Sequence, residues 1–254
     1  MMQEADTKQE GKPLILSQEL GLLFLMLPIA SAFAALETGV FFWKAGVAGG
    51  GIFVLCLFFC HSFARYKDVL WVMLAFGFSI GGDWFLSNKG ENVLFFAAGI
   101  GLFFFAHLGY LGYALINGRL HRLATLLVLA SYLLFFFFCL YPAIGSKLLL
   151  VSAFVYLLVS CVSFGASLGL QLPGASKWLY VFGIGMILLS DTMIAFHEFL
   201  HYKEWNQLIL PTYYLAQISV TLSLLVRKGG SLREEGRERG EDADMTQDEY
   251  DRAG

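Results

Sequence analysis

Long apolar runs separated by short charged punctuation organise the chain. Eight runs, near 20–36, 46–64, 69–87, 92–116, 123–141, 147–170, 177–199 and 207–226, are bounded by charged or polar residues. Each falls within the roughly 17–25 helical residues that cross a hydrocarbon core of about 30 Å. The pattern predicts an all-α polytopic membrane protein, a bundle of eight transmembrane helices. Residues 1–15 and 229–254 fall outside the runs, so the expected organisation is an N-terminal tail, a membrane domain over 16–228 and a C-terminal tail. The first run follows an acidic stretch and lacks a small-residue cleavage pattern, so it reads as a retained span rather than a signal peptide.

Composition agrees: hydrophobic residues make up 57% of 254 positions and phenylalanine alone supplies 25, which excludes an ordinary soluble domain. An even number of spans puts both termini on one side, and the lysines and arginines can then be sorted by side. The terminal side holds Lys8, Lys12, Arg65, Lys67, Arg119, Arg122, Lys177, Arg227 and Lys228, nine against the four (Lys44, Lys89, Lys147, Lys203) opposite, before four arginines of the C-terminal tail are added. Both termini are therefore expected in the cytoplasm. Residues 231–254 carry nine acids and four arginines, a formal −5 that outweighs the +2 of the rest and marks a solvated, disordered appendage. Cys56, Cys60, Cys139 and Cys161 all fall inside predicted spans, so no disulfide framework is implied. Gly77 with Gly81 and Gly165 with Gly169 have the spacing of close helix packing in lipid.

Against that background two acids stand out. Of the twenty, all but Asp83 and Asp191 lie in the tails or flank the spans. An acid near mid-bilayer costs about 2.5–3.5 kcal/mol on insertion scales, and such residues mark pathways or sites. Each is the fifteenth residue counted from the start of its run, at 69 and 177, and both runs lead away from the terminal side. At helical rise both sit roughly 21 Å from the inner surface, at one level in the outer half of the membrane. Burial and mutual repulsion then favour one neutral acid beside one ionised carboxylate, the arrangement of an acid and a base in one site.

Other polar groups have compatible depths. Glu37 and Lys44 stand at the outer ends of spans one and two, and Tyr213, Tyr214 and Gln217 lie in the outer to middle part of span eight. His107 and Tyr110, three residues apart and so on one face of span four, lie deeper. The segments "FSIGGDWFL" (78–86), "GLFFFAHLGY" (101–110), "LLSDTMIAF" (188–196) and "PTYYLAQISVTLSL" (211–224), with Lys44 opening span two, resemble in order the YhhN-like lysoplasmalogenases, multispanning enzymes of lipid catabolism.

The resemblance implies hydrolysis of the vinyl-ether bond of lysoplasmalogen, of choline or ethanolamine type, to a fatty aldehyde and glycerophosphocholine or glycerophosphoethanolamine. It assigns Asp83 and Asp191 as the catalytic pair. Protonation of the vinyl β-carbon yields an oxocarbenium ion, water adds at the ether-bearing carbon, and the hemiacetal collapses, a sequence served by paired carboxylates with no metal or cofactor. Lys44 is the candidate for the phosphate, and His107, Tyr110, Ser190, Tyr213, Tyr214, Gln217 and Glu37 are candidates for substrate binding or positioning. The expected partners are the lysophospholipid substrate and the bilayer, with no nucleic acid and no identifiable protein partner. The expected membrane is the endoplasmic reticulum in a eukaryote and the inner membrane in a bacterium.

Two rival readings remain. "HEFLH" (197–201) matches the His-Glu-x-x-His pattern, in which histidines one helical turn apart hold zinc and the glutamate acts as base. His197 and His201 lie at the end of span seven, where polar residues are expected anyway, and no further motif supplies a third ligand. The membrane-embedded aspartates would also suit a proton-coupled transporter, although no inverted repeat is evident.

Overall fold

The computed structural model describes the backbone of residues 18–253 and the side chains of residues 20–231. The expected N-terminal tail, 1–15, lies outside the described residues, as do the side chains of the acidic tail from 232 onward. Among the described residues, eight helices are long and apolar enough to cross a membrane: α1 (Leu20–Thr38), α2 (Phe41–Ser62), α3 (Val69–Ser87), α4 (Val93–Ile116), α5 (Arg122–Ala143), α6 (Lys147–Leu168), α7 (Gly174–Phe199) and α8 (Asn206–Ser231). The helical backbone of α8 continues to Ala253. The chain is thus an all-α, multi-pass membrane protein. Large apolar side chains such as Leu123, Leu126, Leu127 and Phe138 on α5 face outward and exposed, as a lipid-facing surface requires.

Local chemistry sets the boundaries. Gly39, with a φ of +64°, reverses the chain between α1 and α2. Helix α2 therefore starts at Phe41, earlier than the expected 46, and Lys44 lies within its first turn. The Asn92 side chain accepts hydrogen bonds from the Leu94 and Phe95 amides at 2.9 and 3.3 Å and starts α4. Ser146 caps α6 and the His121 ring caps α5 in the same manner. Within α5 a π-helical turn, Phe136–Leu140, precedes Pro142, whose missing amide breaks the regular ladder.

Short connections make successive spans antiparallel, so the ends of α3 and α7 and the starts of α2, α4 and α8 gather at one end of the bundle. The most extensive pairings are α7 with α8 and α3 with α4; α4 also packs on α6, α2 bridges α3 and α8, and α5 leans on α6 from outside. Polar contacts join the apolar faces. Ser176 donates to the Ser223 carbonyl at 3.0 Å, Ser223 donates to the Ser176 carbonyl at 2.6 Å, and Tyr180 donates to the Tyr110 carbonyl at 2.8 Å. Close approach depends on small residues at particular points. A Cβ on Gly183 would stand 2.6 Å from Val220 and 3.0 Å from the Ala216 carbonyl of α8, and one on Gly165 would meet Thr125 of α5 at 2.0 Å. Gly169 abuts the Arg119 carbonyl, whereas a Cβ on Gly77 would meet no other side chain or helix within 4 Å, so Gly77 plays no such part.

The terminal end of the bundle is closed by a buried ion pair. Arg227 of α8 donates to Asp68, the residue that precedes α3, and to the Tyr113 hydroxyl at 3.2 Å, while Asn117 donates to Asp68 at 2.7 Å. The three elements are thereby tied at the end opposite the site.

Candidate active site

At the other end, α2, α3, α7 and α8 enclose a cavity of about 330 Å³ whose lining includes Lys44, Asp83, Ser190, Asp191 and Tyr213, with Lys89, His197 and Glu198 toward its mouth. Asp83 lies one turn before the end of α3 and Asp191 two turns before the end of α7, so the equal depths read from the sequence become a shared chamber. Asp83 accepts a hydrogen bond from the Tyr213 hydroxyl of α8 at 3.1 Å. Asp191 is held more tightly. The Tyr156 hydroxyl of α6 donates to its Oδ2 at 2.5 Å, and His107 Nε2 of α4 lies 3.0 Å from that hydroxyl and 3.3 Å from the same oxygen. The two carboxylates therefore differ in support, one bonded by a single phenol and the other backed by a tyrosine and a buried histidine.

A second, smaller cavity of about 80 Å³ adjoins the first between α4, α5, α6 and α7. Its lining is mostly apolar, with Ile100, Phe135, Leu140, Ala153, Leu157 and Phe199 among the residues that form it. Leu86, Phe96, Phe103, Asp191 and Ile194 line both spaces, so Asp191 stands at the junction of a polar chamber and a hydrocarbon slot. Tyr132 and Thr192 face the slot and hydrogen-bond to each other at 2.7 Å, which removes their polarity from it.

The candidate residues distribute as follows. Lys44, Asp83, Ser190, Asp191 and Tyr213 meet in the polar chamber, although the Ser190 hydroxyl is committed to the Ile209 carbonyl of α8 at 3.0 Å. His107 is buried behind Asp191 and reaches it from outside the lining. Tyr110 is buried one turn further along the same face of α4. Tyr214 and Gln217 are buried in the packing of α8 and line neither described cavity. Glu37 is exposed near the end of α1 and lines neither of them. Sequence reading passed over Tyr156, which sits in the apolar run "SAFVYLLVS", and treated Lys89 and Glu198 as interfacial flanks although they pair at 2.7 Å. A hydroxyl inside a predicted span was the one available signal for Tyr156.

The "HEFLH" geometry departs from the zinc pattern. Helix α7 ends at Phe199, and His201 takes a φ of +56° beyond it, so the two histidines do not share one helical face. Glu198 is engaged by Lys89 and by His197 Nδ1 at 3.1 Å. Among the described residues no cluster of three or more His, Cys, Asp or Glu side chains is arranged to hold a metal ion.

No curated protein and no solved structure matches the chain. The family model of the YhhN family matches residues 43–224, from the start of α2 through most of α8, and so takes in both cavities and both aspartates. That match covers well over half of the chain, and the protein belongs to the YhhN family.

Proposed function

We propose that the protein is a lysoplasmalogenase, an integral-membrane hydrolase that cleaves the vinyl-ether bond of lysoplasmalogen by acid and base chemistry on Asp83 and Asp191. The observation that carries this reading is the position of Asp191, which lines a polar chamber with Asp83 and Lys44 and also an apolar slot. An amphiphile whose scissile bond joins a hydrocarbon chain to a polar glycerol fits that junction, with the chain in the slot and the head group in the chamber.

The supports of the two carboxylates suggest their roles. Asp191, whose Oδ2 accepts from Tyr156 at 2.5 Å and has His107 Nε2 3.3 Å away, is the more firmly held of the two and takes the role of the carboxylate that faces the developing cation. Asp83, with one longer bond from Tyr213, is the less constrained of the two and takes the role of the proton donor in the chamber that Lys44 also lines. Asp83 gives its proton to the vinyl β-carbon, and the positive charge that develops on the ether-bearing carbon is stabilised by Asp191. Water adds to that carbon and yields a proton to Asp191. Asp191 then protonates the glycerol oxygen as the hemiacetal C–O bond breaks, and the hemiacetal hydroxyl proton returns to Asp83, restoring both groups with the aldehyde released. No step calls on a metal.

The test is fatty-aldehyde release from a lysoplasmalogen by purified protein, for wild type, Asp83→Asn and Asp191→Asn, each with and without a zinc chelator. The reading expects chelator-resistant activity that is lost in both variants while thermal unfolding stays close to wild type. Absence of aldehyde from wild type, or full activity in either variant, would reject it. Proton-coupled flux that disappears with the same substitutions, without hydrolysis, would establish a transporter instead.

A further inference from the structure

The mouth of the polar chamber carries an ion pair that the proton transfers above do not use. Lys89, just past the end of α3, donates to Glu198 Oε2 at 2.7 Å, and the other glutamate oxygen lies 3.1 Å from His197 Nδ1. The two side chains remain 23% and 20% exposed, so water reaches the pair and a ligand's charges can exchange with it. Lys44 lines the same chamber from α2, and the Lys89 ammonium stands 4.9 Å from the centre of the Phe96 ring. The chamber therefore presents two cations and one anion above the aspartates.

We infer that these residues form a receptor for a zwitterionic head group, in which Glu198 takes a ligand ammonium and Lys89 and Lys44 take its phosphate. The inference rests on the proposed reading that the ether bond is held at Asp83 and Asp191. Asp191 and Glu198 are seven residues apart on α7, two helical turns, so they share a face and stand roughly 10 Å apart along the axis. In a glycerophosphoethanolamine or glycerophosphocholine ether, the nitrogen is ten bonds from the ether-bearing vinyl carbon, about 12 Å when extended at ~1.2 Å per bond. The phosphorus is six bonds away, about 7 Å on the same scale. A slightly bent head group thus reaches Glu198 while its ether carbon lies at Asp191, with the phosphate between them near the lysines. The bound zwitterion replaces the internal pair charge for charge. A phosphate monoester without an amine leaves Glu198 uncompensated beside a dianion, and a neutral glyceryl ether leaves the internal pair closed.

Binding separates this inference from the hydrolysis. Two saturated alkyl-ether lysolipids of equal chain length, an alkyl-glycerophosphoethanolamine and an alkyl-glycerophosphate, have no vinyl group to protonate and report the head group alone. Titrated against the full-length protein in detergent, wild type binds the ethanolamine form about tenfold more tightly, the value of one charge-assisted hydrogen bond at the low end of its range. Glu198→Gln frees Lys89 and reverses the order in favour of the phosphate monoester, while Glu198→Asp, which retains the charge, keeps the wild-type order and confirms that the fold tolerates change at this position. Equal affinities in wild type, or an unchanged ratio in Glu198→Gln, overturn the inference. A wild type with the expected ratio that releases no aldehyde from the alkenyl substrate removes the hydrolase reading and leaves the head-group receptor standing. Aldehyde release without the ratio does the reverse.

Discussion

Tyr156→Phe removes one oxygen from the site and little else. The ring of Tyr156 lies between α6 and α4 with its face near His107, and phenylalanine keeps that packing. What is lost is the 2.5 Å donor to Asp191 Oδ2 and the link to His107 Nε2 at 3.0 Å. A hydrogen bond to a charged group contributes about 1.5–3 kcal/mol. His107 already stands 3.3 Å from the same oxygen and can move in to supply part of the missing support, which places the net loss near the lower end. A barrier increase of about 1.5–2 kcal/mol corresponds to a fall of about 10–30-fold in the rate of the chemical step. In the proposed mechanism Tyr156 supports the base and not the head group, so the fall belongs in kcat, with KM within about twofold of wild type. Steady-state aldehyde release by purified Tyr156→Phe measures both, and thermal unfolding in the same detergent reports the fold. A kcat within twofold of wild type would show that Asp191 does not depend on this hydroxyl, and the proposed role of Asp191 as the supported carboxylate would fall with it.

Ala153→Phe places a ring in the apolar slot, so kcat/KM for long alkenyl chains should drop by about tenfold relative to short ones; a uniform loss across chain lengths would deny the slot its role in holding the chain. Arg227→Met strands Asp68 at the buried far end and should destabilise the protein by about 3–5 kcal/mol in denaturant unfolding, most of it recovered when Asp68→Leu is added; an unshifted midpoint in the single variant would contradict the closure described there. Gly183→Val forces α7 away from Val220 and the Ala216 carbonyl and should cost about 1–3 kcal/mol, whereas Gly77→Ala, with open space around it, should cost nothing and can gain up to about 1 kcal/mol from helix propensity; equal effects would refute the packing contrast.

The spans and the depth of the aspartates were legible because both follow from one-dimensional quantities, the length of an apolar run and the number of residues along a helix. Lys44 was placed at the right end but outside the regular helix, since the two-residue reversal at Gly39 is encoded by one backbone angle and not by hydropathy. Tyr213 and Tyr214 looked equivalent in the sequence. Adjacent residues diverge by about 100° around a helix, and Tyr213 faces Asp83 while Tyr214 turns into the packing. Tyr156 carried no pattern, because its importance arises from the packing of α6 on α4 beside α7, contacts between residues distant in the chain. Lys89 and Glu198, 109 residues apart, likewise became a pair only once the ends of α3 and α7 met.

The two ends of the bundle explain why so apolar a chain keeps these acids. Asp68 is neutralised by Arg227 and Asn117 in a buried cluster that ties three elements together, a structural use of charge with its partner supplied. Among the described residues, Asp83 and Asp191 have no lysine or arginine bonded to them. Their bonded neighbours are phenols and one imidazole, which orient a carboxylate without pairing it to a lysine or arginine. A chain that needed acids only to order its helices would have paired them as it paired Asp68. Leaving two carboxylates without a bonded arginine or lysine among the described residues, in one polar chamber whose wall at Asp191 also borders a hydrocarbon slot, carries the insertion cost of each without the compensation of a buried ion pair. That cost is understandable where the missing counter-charge forms transiently on a substrate, which is what the proposed protonation of a vinyl ether between them supplies.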